Sequence, residues 1–177
     1  IATNDNPNQA AVLVHENNEG THQQNLASEA RFIEFSNDYS INVRIYAHRG
    51  VQDRGARENT LKAFQDAIDI GCDGIELDVQ ITKDGRMVVY RLKDLQGEPV
   101  SEYTLDEIKG RNSEIPSLEE ALKLINGQLQ VDAHLVWAEG ENKEATKQLV
   151  SEIEACSAAE WVTVGSIFMG DINSILA

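Results

Sequence analysis

Two carboxylates in the middle of the chain have the type and spacing that metal or phosphate chemistry uses. Glu76 and Asp78 alternate with apolar residues, so on a strand both project from one face, their Cβ atoms roughly 6–7 Å apart. Buried carboxylates need a cation or hydrogen-bond donors, and sets of oxygen ligands favour Ca²⁺ or Mg²⁺. A solvent-exposed strand face explains the same alternation, and the sequence leaves both interpretations open.

A second chemical pair, His48-Arg49, follows a short apolar run upstream. Histidine exchanges protons near neutral pH, and an adjacent guanidinium can bind two phosphate oxygens at once. A single histidine often serves only packing, so the pair by itself is weak support for a site. Together with Glu76 and Asp78 it favours phosphoester chemistry at the end of a strand.

The elements that must position these residues alternate between strand and helix. The apolar patterns predict strands over residues 44–48, 74–81, 87–90, 128–137 and 161–166. They predict helices over 60–71, 104–109, 117–125, 142–155 and 171–177. Asp84-Gly85 marks a hairpin turn before the third strand. Such alternation predicts an α/β fold whose sheet is mainly parallel and covered on its faces.

Composition excludes several classes of protein. The 177 residues contain 15 Lys and Arg against 30 Asp and Glu, a formal charge of -15, which disfavours nucleic-acid or anionic-membrane surfaces. The sequence has no run of 18 apolar residues, so no membrane span is predicted. Cys72 and Cys156 lie far apart without a CxxC pair, and we expect two free thiols.

Residues 1–43 differ in composition from residues 44–177. They hold eight Asn, three Gln and six acidic residues but one basic residue, Arg31, with apolar islands at 10–14 and 30–35. We interpret them as a solvated extension, with docking strands as the alternative. The chain begins with Ile, which indicates either a removed leader or a cut chain; a removed secretory signal is the preferred explanation and predicts an exported, periplasmic or extracellular protein.

Five ordered segments of this chain resemble the glycerophosphodiester phosphodiesterase family. They read YAHRG at 46–50, ENTLKAF at 58–64, GCDGIELDVQITKDG at 71–85, YTLDEI at 103–108 and IPSLEEAL at 115–122. The resemblance extends over roughly residues 44–166. It implies a TIM-type (β/α)₈ barrel, with the site at the carboxyl ends of the strands. It also implies a glycerophosphodiester substrate, hydrolysed to glycerol phosphate and an alcohol with the help of a divalent cation, Ca²⁺ or Mg²⁺.

The resemblance also implies roles for individual residues. His48 would be one of two catalytic histidines, and Arg49 would contact the phosphate. Glu58, which precedes Asn-Thr in the motif, would line the site. The metal ligands would be Glu76, Asp78 and, from a later strand, Asp132.

Two departures from the family pattern concern the site. The second histidine of the family falls in a segment that here reads VVYRLKD at 88–94, which places Arg91, or after a shift Lys93, at that position. Neither is a good proton shuttle at pH 7. In the later strand His134 stands where the family has Lys, on the same side as Asp132, where it could bind phosphate or replace the missing proton donor.

A third departure is the number of strands. About five strand–helix units are predicted here, and the family barrel needs about three more. Open strand edges are usually covered, so we expect a homo-oligomer or polymer, the N-terminal extension, or further chain to complete the sheet. The sequence therefore supports either a secreted phosphodiesterase or a pseudoenzyme of this family that assembles by strand exchange.

Overall fold

The computed structural model describes residues 43–52, 55–137 and 143–166. All elements below belong to the unit that begins at Tyr46. The strands are β1 (Tyr46–His48), β2 (Gly74–Ile81), β3 (Met87–Val89), β4 (Asp94–Leu95), β5 (Glu98–Pro99), β6 (Gln130–Leu135) and β7 (Val162–Ser166). The helices are α1 (Leu61–Ile70), α2 (Leu105–Arg111), α3 (Leu118–Ile125) and α4 (Lys143–Ala155), with a 3₁₀ turn at Val100–Glu102.

The main sheet is mostly parallel, as the alternation of elements predicts. Its parallel strands run in the order β1-β2-β6-β7, and β3 pairs antiparallel with the end of β2. Strands β4 and β5 form a separate short hairpin. All five predicted strands are present, but β3 is the return arm of a hairpin. The described part of the chain therefore holds four parallel strands, rather than five barrel units.

Strand β2 is buried on both faces. Ile75, Leu77 and Val79 are fully buried in a core that includes Phe64 of α1 and Leu122 of α3. On the opposite face Glu76 is 9% exposed, and Asp78 and Gln80 are each 4% exposed. The interpretation of this face as solvent-exposed is therefore wrong, because neighbouring strands and the turn after β1 enclose it.

Local sequence sets the helix ends. Thr60 caps α1 by accepting a hydrogen bond from the backbone of Ala63, and Gly71 ends it in the left-handed conformation at φ 79°. Helices α2 and α3 begin with capping boxes, Thr104 with Glu107 and Ser117 with Glu120. These caps confirm the helix starts predicted from the sequence.

Several predictions differ from the structure or lie outside the described residues. The strands predicted at 44–48 and 128–137 are shorter, and the two cysteines are free as expected. The helix at 171–177 and the apolar islands at 10–14 and 30–35 lie outside the described residues. Within the described ranges, no helix combines the length and apolar character needed to cross a bilayer.

Candidate active site

The polar residues singled out in the sequence meet across three neighbouring strands. In the parallel register His48 of β1 lies beside Glu76 of β2, and Glu76 lies beside Asp132 of β6. In the same register Asp78 of β2 lies beside His134 of β6. Because in-register residues of adjacent strands project from the same face, these five side chains line one patch of the sheet.

The turn after β1 holds Arg49 in an unusual backbone conformation. Arg49 has φ 59° and Gly50 has φ 80°. The Arg49 N–H donates to the Glu76 carbonyl at 2.9 Å and lies 3.2 Å from Glu76 Oε2, while Asn59 N–H donates to the Arg49 carbonyl at 2.9 Å. A positive φ is costly for a residue with a side chain and persists where surrounding bonds impose it. These bonds therefore set the place of Arg49 above β2.

The Arg49 guanidinium is held between two carboxylates. Nη1 donates to Glu58 Oε2 at 3.0 Å, and Nε lies 2.9 Å from Asp78 Oδ2 in an ion pair whose N–H is not aligned as a hydrogen bond. Burial lowers the pKa of Arg49, but the hydrogen bond to Glu58 and the charges of Asp78, Glu58 and Glu76 outweigh it and raise that pKa. The guanidinium is thus a fixed positive charge beside the predicted catalytic histidine.

Asn59 belongs to the site although its sequence pattern indicated only a helix start. Its side-chain amide donates to Asp78 Oδ2 at 3.0 Å, and its side-chain carbonyl accepts from the Asp78 N–H at 3.3 Å. Asn59 is buried and has φ 56°, a conformation that Asn tolerates better than most residues. The available signal was its place directly after Glu58 in the family motif.

Glu76 lies between two imidazoles. Its Oε2 is 3.8 Å from His48 Nε2, and its Oε1 is 3.2 Å from His134 Nδ1. Burial, followed by the negative charge of Asp78, raises the pKa of Glu76, and His134, His48 and Arg49 oppose that shift. The ionised form of Glu76 is therefore stabilised by its neighbours His134, His48 and Arg49.

His134 of β6 contacts a carboxylate with each of its ring nitrogens. Nδ1 faces Glu76, and Nε2 lies 3.1 Å from Asp132 Oδ2. Gly165 of β7 is in register with His134, and a Cβ built on it would lie 2.7 Å from His134 Cδ2. Gly165 therefore leaves room for the ring, a role that the sequence pattern did not indicate.

The three predicted metal ligands share one face but do not form a metal site. Asp78 is paired with Arg49, while Glu76 and Asp132 both face His134. Within the described ranges no three His, Cys, Asp or Glu side chains are arranged to hold a metal ion. The donor oxygens suit Ca²⁺ or Mg²⁺ chemically, but as arranged they do not fit one, so we assign no reaction step to an ion.

Residues 88–94, where the family has its second histidine, are held in place by hydrogen bonds to their backbone carbonyls. The buried side-chain amide of Gln80 donates to the carbonyls of Tyr90 and Leu92, and Trp137 Nε1 donates to the Arg91 carbonyl. The side chains of Arg91 and Lys93 are exposed. A nearby cavity of about 240 Å³, lined in part by Gln80, Lys93 and Trp137, includes none of the clustered acidic or histidine residues.

Comparisons with known proteins agree with the resemblance seen in the sequence. The Glycerophosphoryl diester phosphodiesterase family profile matches residues 48–166. A glycerophosphodiester phosphodiesterase from Bacillus altitudinis is 40% identical over 100 residues, covering 47% of this chain and 40% of the relative. This chain thus spans less than half of that relative's length.

Solved structures confirm the predicted fold class, an incomplete TIM-type α/β barrel. A glycerophosphodiester phosphodiesterase from Parabacteroides distasonis has a TM-score of 0.69 and 26% identity, covering 75% of this chain and 60% of that one. A second, from Thermotoga maritima, has a TM-score of 0.63 and 25% identity, covering 73% and 57%. Sequence profile, relatives and fold agree, and the chain belongs to the glycerophosphoryl diester phosphodiesterase family.

Proposed function

We propose that this chain carries the phosphodiesterase site of its family and that the protein hydrolyses glycerophosphodiesters to glycerol phosphate and an alcohol. One observation carries the proposal: His48 and Arg49 stand together at the end of β1, beside the buried carboxylates of Glu76 and Asp78. The His48 side chain is 67% exposed, so a substrate can reach it, whereas the Arg49 side chain is 15% exposed and fixed. Phosphodiester cleavage needs both a proton-transfer group and a fixed positive charge.

In the proposed reaction the glycerol hydroxyl of the substrate attacks phosphorus. The bond from phosphorus to the alcohol breaks, which leaves a cyclic phosphate on the glycerol. Water then opens this cyclic phosphate to give glycerol phosphate. His48 accepts the proton of the attacking hydroxyl, and Glu76 Oε2 lies 3.8 Å from its Nε2. Arg49 stabilises the negative charge that develops on a phosphoryl oxygen.

The departing alcohol must take up a proton, and because the second family histidine is missing, water supplies it. Arg91 stands near that position by sequence, but a guanidinium does not give up a proton at pH 7. Both ring nitrogens of His134 face carboxylates, which leaves neither directed at a leaving group. Loss of one acid/base group typically lowers the rate by about 10²–10⁴-fold, so we expect slow turnover compared with relatives that have both histidines.

Release of glycerol phosphate from glycerophosphocholine, with Ca²⁺ or Mg²⁺ present and absent, tests the proposal. His48→Ala should lower the rate by at least about 10²-fold. His134→Gln should leave most of the activity, because His134 is assigned no proton transfer. Equal rates for wild type and His48→Ala would refute the role of His48. A loss of activity in His134→Gln as large as that in His48→Ala would show that His134 replaces the second histidine.

Divalent-metal dependence is general in this family. For this chain Ca²⁺ and Mg²⁺ remain the predicted ions. Glu76, Asp78 and Asp132 would have to leave their present partners to bind either one. Calorimetric titration of the full chain with Ca²⁺ and with Mg²⁺ measures whether they do so.

A second candidate function is a family member without turnover that assembles through its sheet. In the described part of the chain β1 and β7 lie at the two edges of the parallel sheet, where strand addition would occur. Light scattering on the full chain and on a variant lacking residues 1–43 tests it. Two monomers of equal stability would refute strand exchange. Export to the periplasm or the extracellular space is also proposed, and cell fractionation would test it.

A further inference from the structure

His134 contacts both carboxylates that β2 and β6 would offer to a shared metal ion. Glu76 and Asp132 are in register on adjacent strands, so an ion shared by the two strands would bond to their facing oxygens. Ca²⁺ and Mg²⁺ bond to oxygens at roughly 2.0–2.6 Å. The two ring nitrogens of His134 instead lie 3.2 Å from Glu76 Oε1 and 3.1 Å from Asp132 Oδ2.

The ring is positioned by the strands around it. Asp132 and His134 are two residues apart on β6 and share a face, which places Nε2 beside Asp132. On the other side, a side chain at Gly165 would collide with the ring, its Cβ 2.7 Å from Cδ2 and 3.0 Å from Nε2. Because Gly165 has no side chain, the ring can occupy this place.

We infer that His134, accommodated by Gly165, bridges Glu76 and Asp132 in place of a divalent cation, so that the native chain binds Ca²⁺ and Mg²⁺ weakly and its site is assembled without them. Each of the two contacts needs a hydrogen between nitrogen and oxygen, and with both in place the ring holds the two carboxylates together as a shared metal ion would. The inference concerns the cation requirement of the site. It holds whether or not the chain turns over the proposed substrate.

Calorimetric titration of the full chain with Ca²⁺ and with Mg²⁺ tests this. His134→Gln removes the ring from between the two carboxylates and should strengthen binding by about tenfold or more, a change of about 1.4 kcal/mol in binding free energy. Gly165→Ala keeps the imidazole but displaces it, because the backbone at Gly165 is not left-handed and the clash is with the ring. Like His134→Gln, Gly165→Ala should strengthen the binding of Ca²⁺ and Mg²⁺.

His48→Gln is the matched control. His48 also lies beside Glu76, but at 3.8 Å and on an exposed side chain that does not reach Asp132 in the described contacts. It should leave both affinities within about threefold of wild type, well below the change expected for His134→Gln. If both His48→Gln and His134→Gln strengthen binding equally, a general charge effect explains the data and the bridge is refuted.

Two other results would overturn the inference. Weaker binding in His134→Gln would show that His134 is itself a ligand, and unchanged binding in both His134→Gln and Gly165→Ala would show that the ring does not compete with an ion. If His134→Gln fails to fold, as judged by circular dichroism, Gly165→Ala decides the question. Because binding is measured without substrate, an inactive protein whose affinity rises in these variants would contradict the proposed function but support the bridge.

Discussion

Replacing Gly50 by Ala tests the turn that places His48 and Arg49. Gly50 has φ 80°, and a Cβ built on it would lie 2.7 Å from the Cβ of Ala63 and 2.8 Å from its backbone carbon. Backbone atoms of α1 cannot move aside without shifting the helix. The substitution therefore combines a left-handed conformation with a collision against a fully buried residue.

The cost can be assembled from these two causes. A left-handed conformation costs a residue with a side chain roughly 1–2 kcal/mol, and overpacking against a rigid neighbour costs about 1–3 kcal/mol. We expect Gly50→Ala to lower the free energy of unfolding by about 2–5 kcal/mol. Gly71 is the matched control, because it has φ 79° and a Cβ added to it would meet no atom within 4 Å. Gly71→Ala should cost only about 1–2 kcal/mol.

Urea unfolding monitored by circular dichroism measures both variants under the same conditions. The difference between them isolates the close approach of the turn to α1. Equal losses in Gly50→Ala and Gly71→Ala would refute that approach, since both share the same backbone conformation. Gly50→Ala should also reduce phosphodiesterase activity more than Gly71→Ala, because it displaces Arg49 from Asp78.

Three further predictions concern single side chains. Asn59→Ala removes two hydrogen bonds to Asp78 and should lower the free energy of unfolding by about 2–4 kcal/mol in urea; a loss below about 1 kcal/mol would contradict the importance of these two bonds. Arg49→Lys should raise KM and leave Asp78 poorly paired, and an unchanged KM in the glycerophosphocholine assay would refute phosphate contact. Burial would raise the pKa of Glu120, but hydrogen bonds, chiefly from Lys109, lower it. Glu120→Gln should therefore destabilise the protein at pH 7, by an amount that shrinks as pH falls from 4.5 through the lowered native pKa and the native carboxylate gains its proton; a difference in Tm that does not shrink on acidification would contradict this.

The buried pair of carboxylates on β2 has charged and hydrogen-bonding partners from three other segments of the chain. Glu76 and Asp78 lie on one face of β2, and burial, followed by the negative charge of Asp78, raises the pKa of Glu76. Arg49 and Asn59 engage Asp78, while His134 engages Glu76. Replacing Arg49, Asn59 or His134 leaves a buried carboxylate charge less compensated. Each replacement should therefore lower the free energy of unfolding more than the exposure of the replaced side chain suggests.

Much of the fold and part of the site could be predicted because the relevant signals are local. The alternation from Gly74 to Ile81, the Gly71 cap and both capping boxes each involve residues a few positions apart. The same holds for His48-Arg49 at the end of β1. The antiparallel direction of β3 followed from the Asp84-Gly85 turn, whereas the count of parallel barrel strands needed the sheet itself.

The sequence by itself determined the order of strands and helices, the family, and which polar residues face the same side of β2. Only the tertiary structure decided that this face is buried, that Asn59 holds Asp78, and that His134 lies between Glu76 and Asp132. These features depend on contacts between segments far apart in the chain. Strand periodicity states which side a residue faces, but only the pairing of β6 with β2 and of β7 with β6 determines what that side meets.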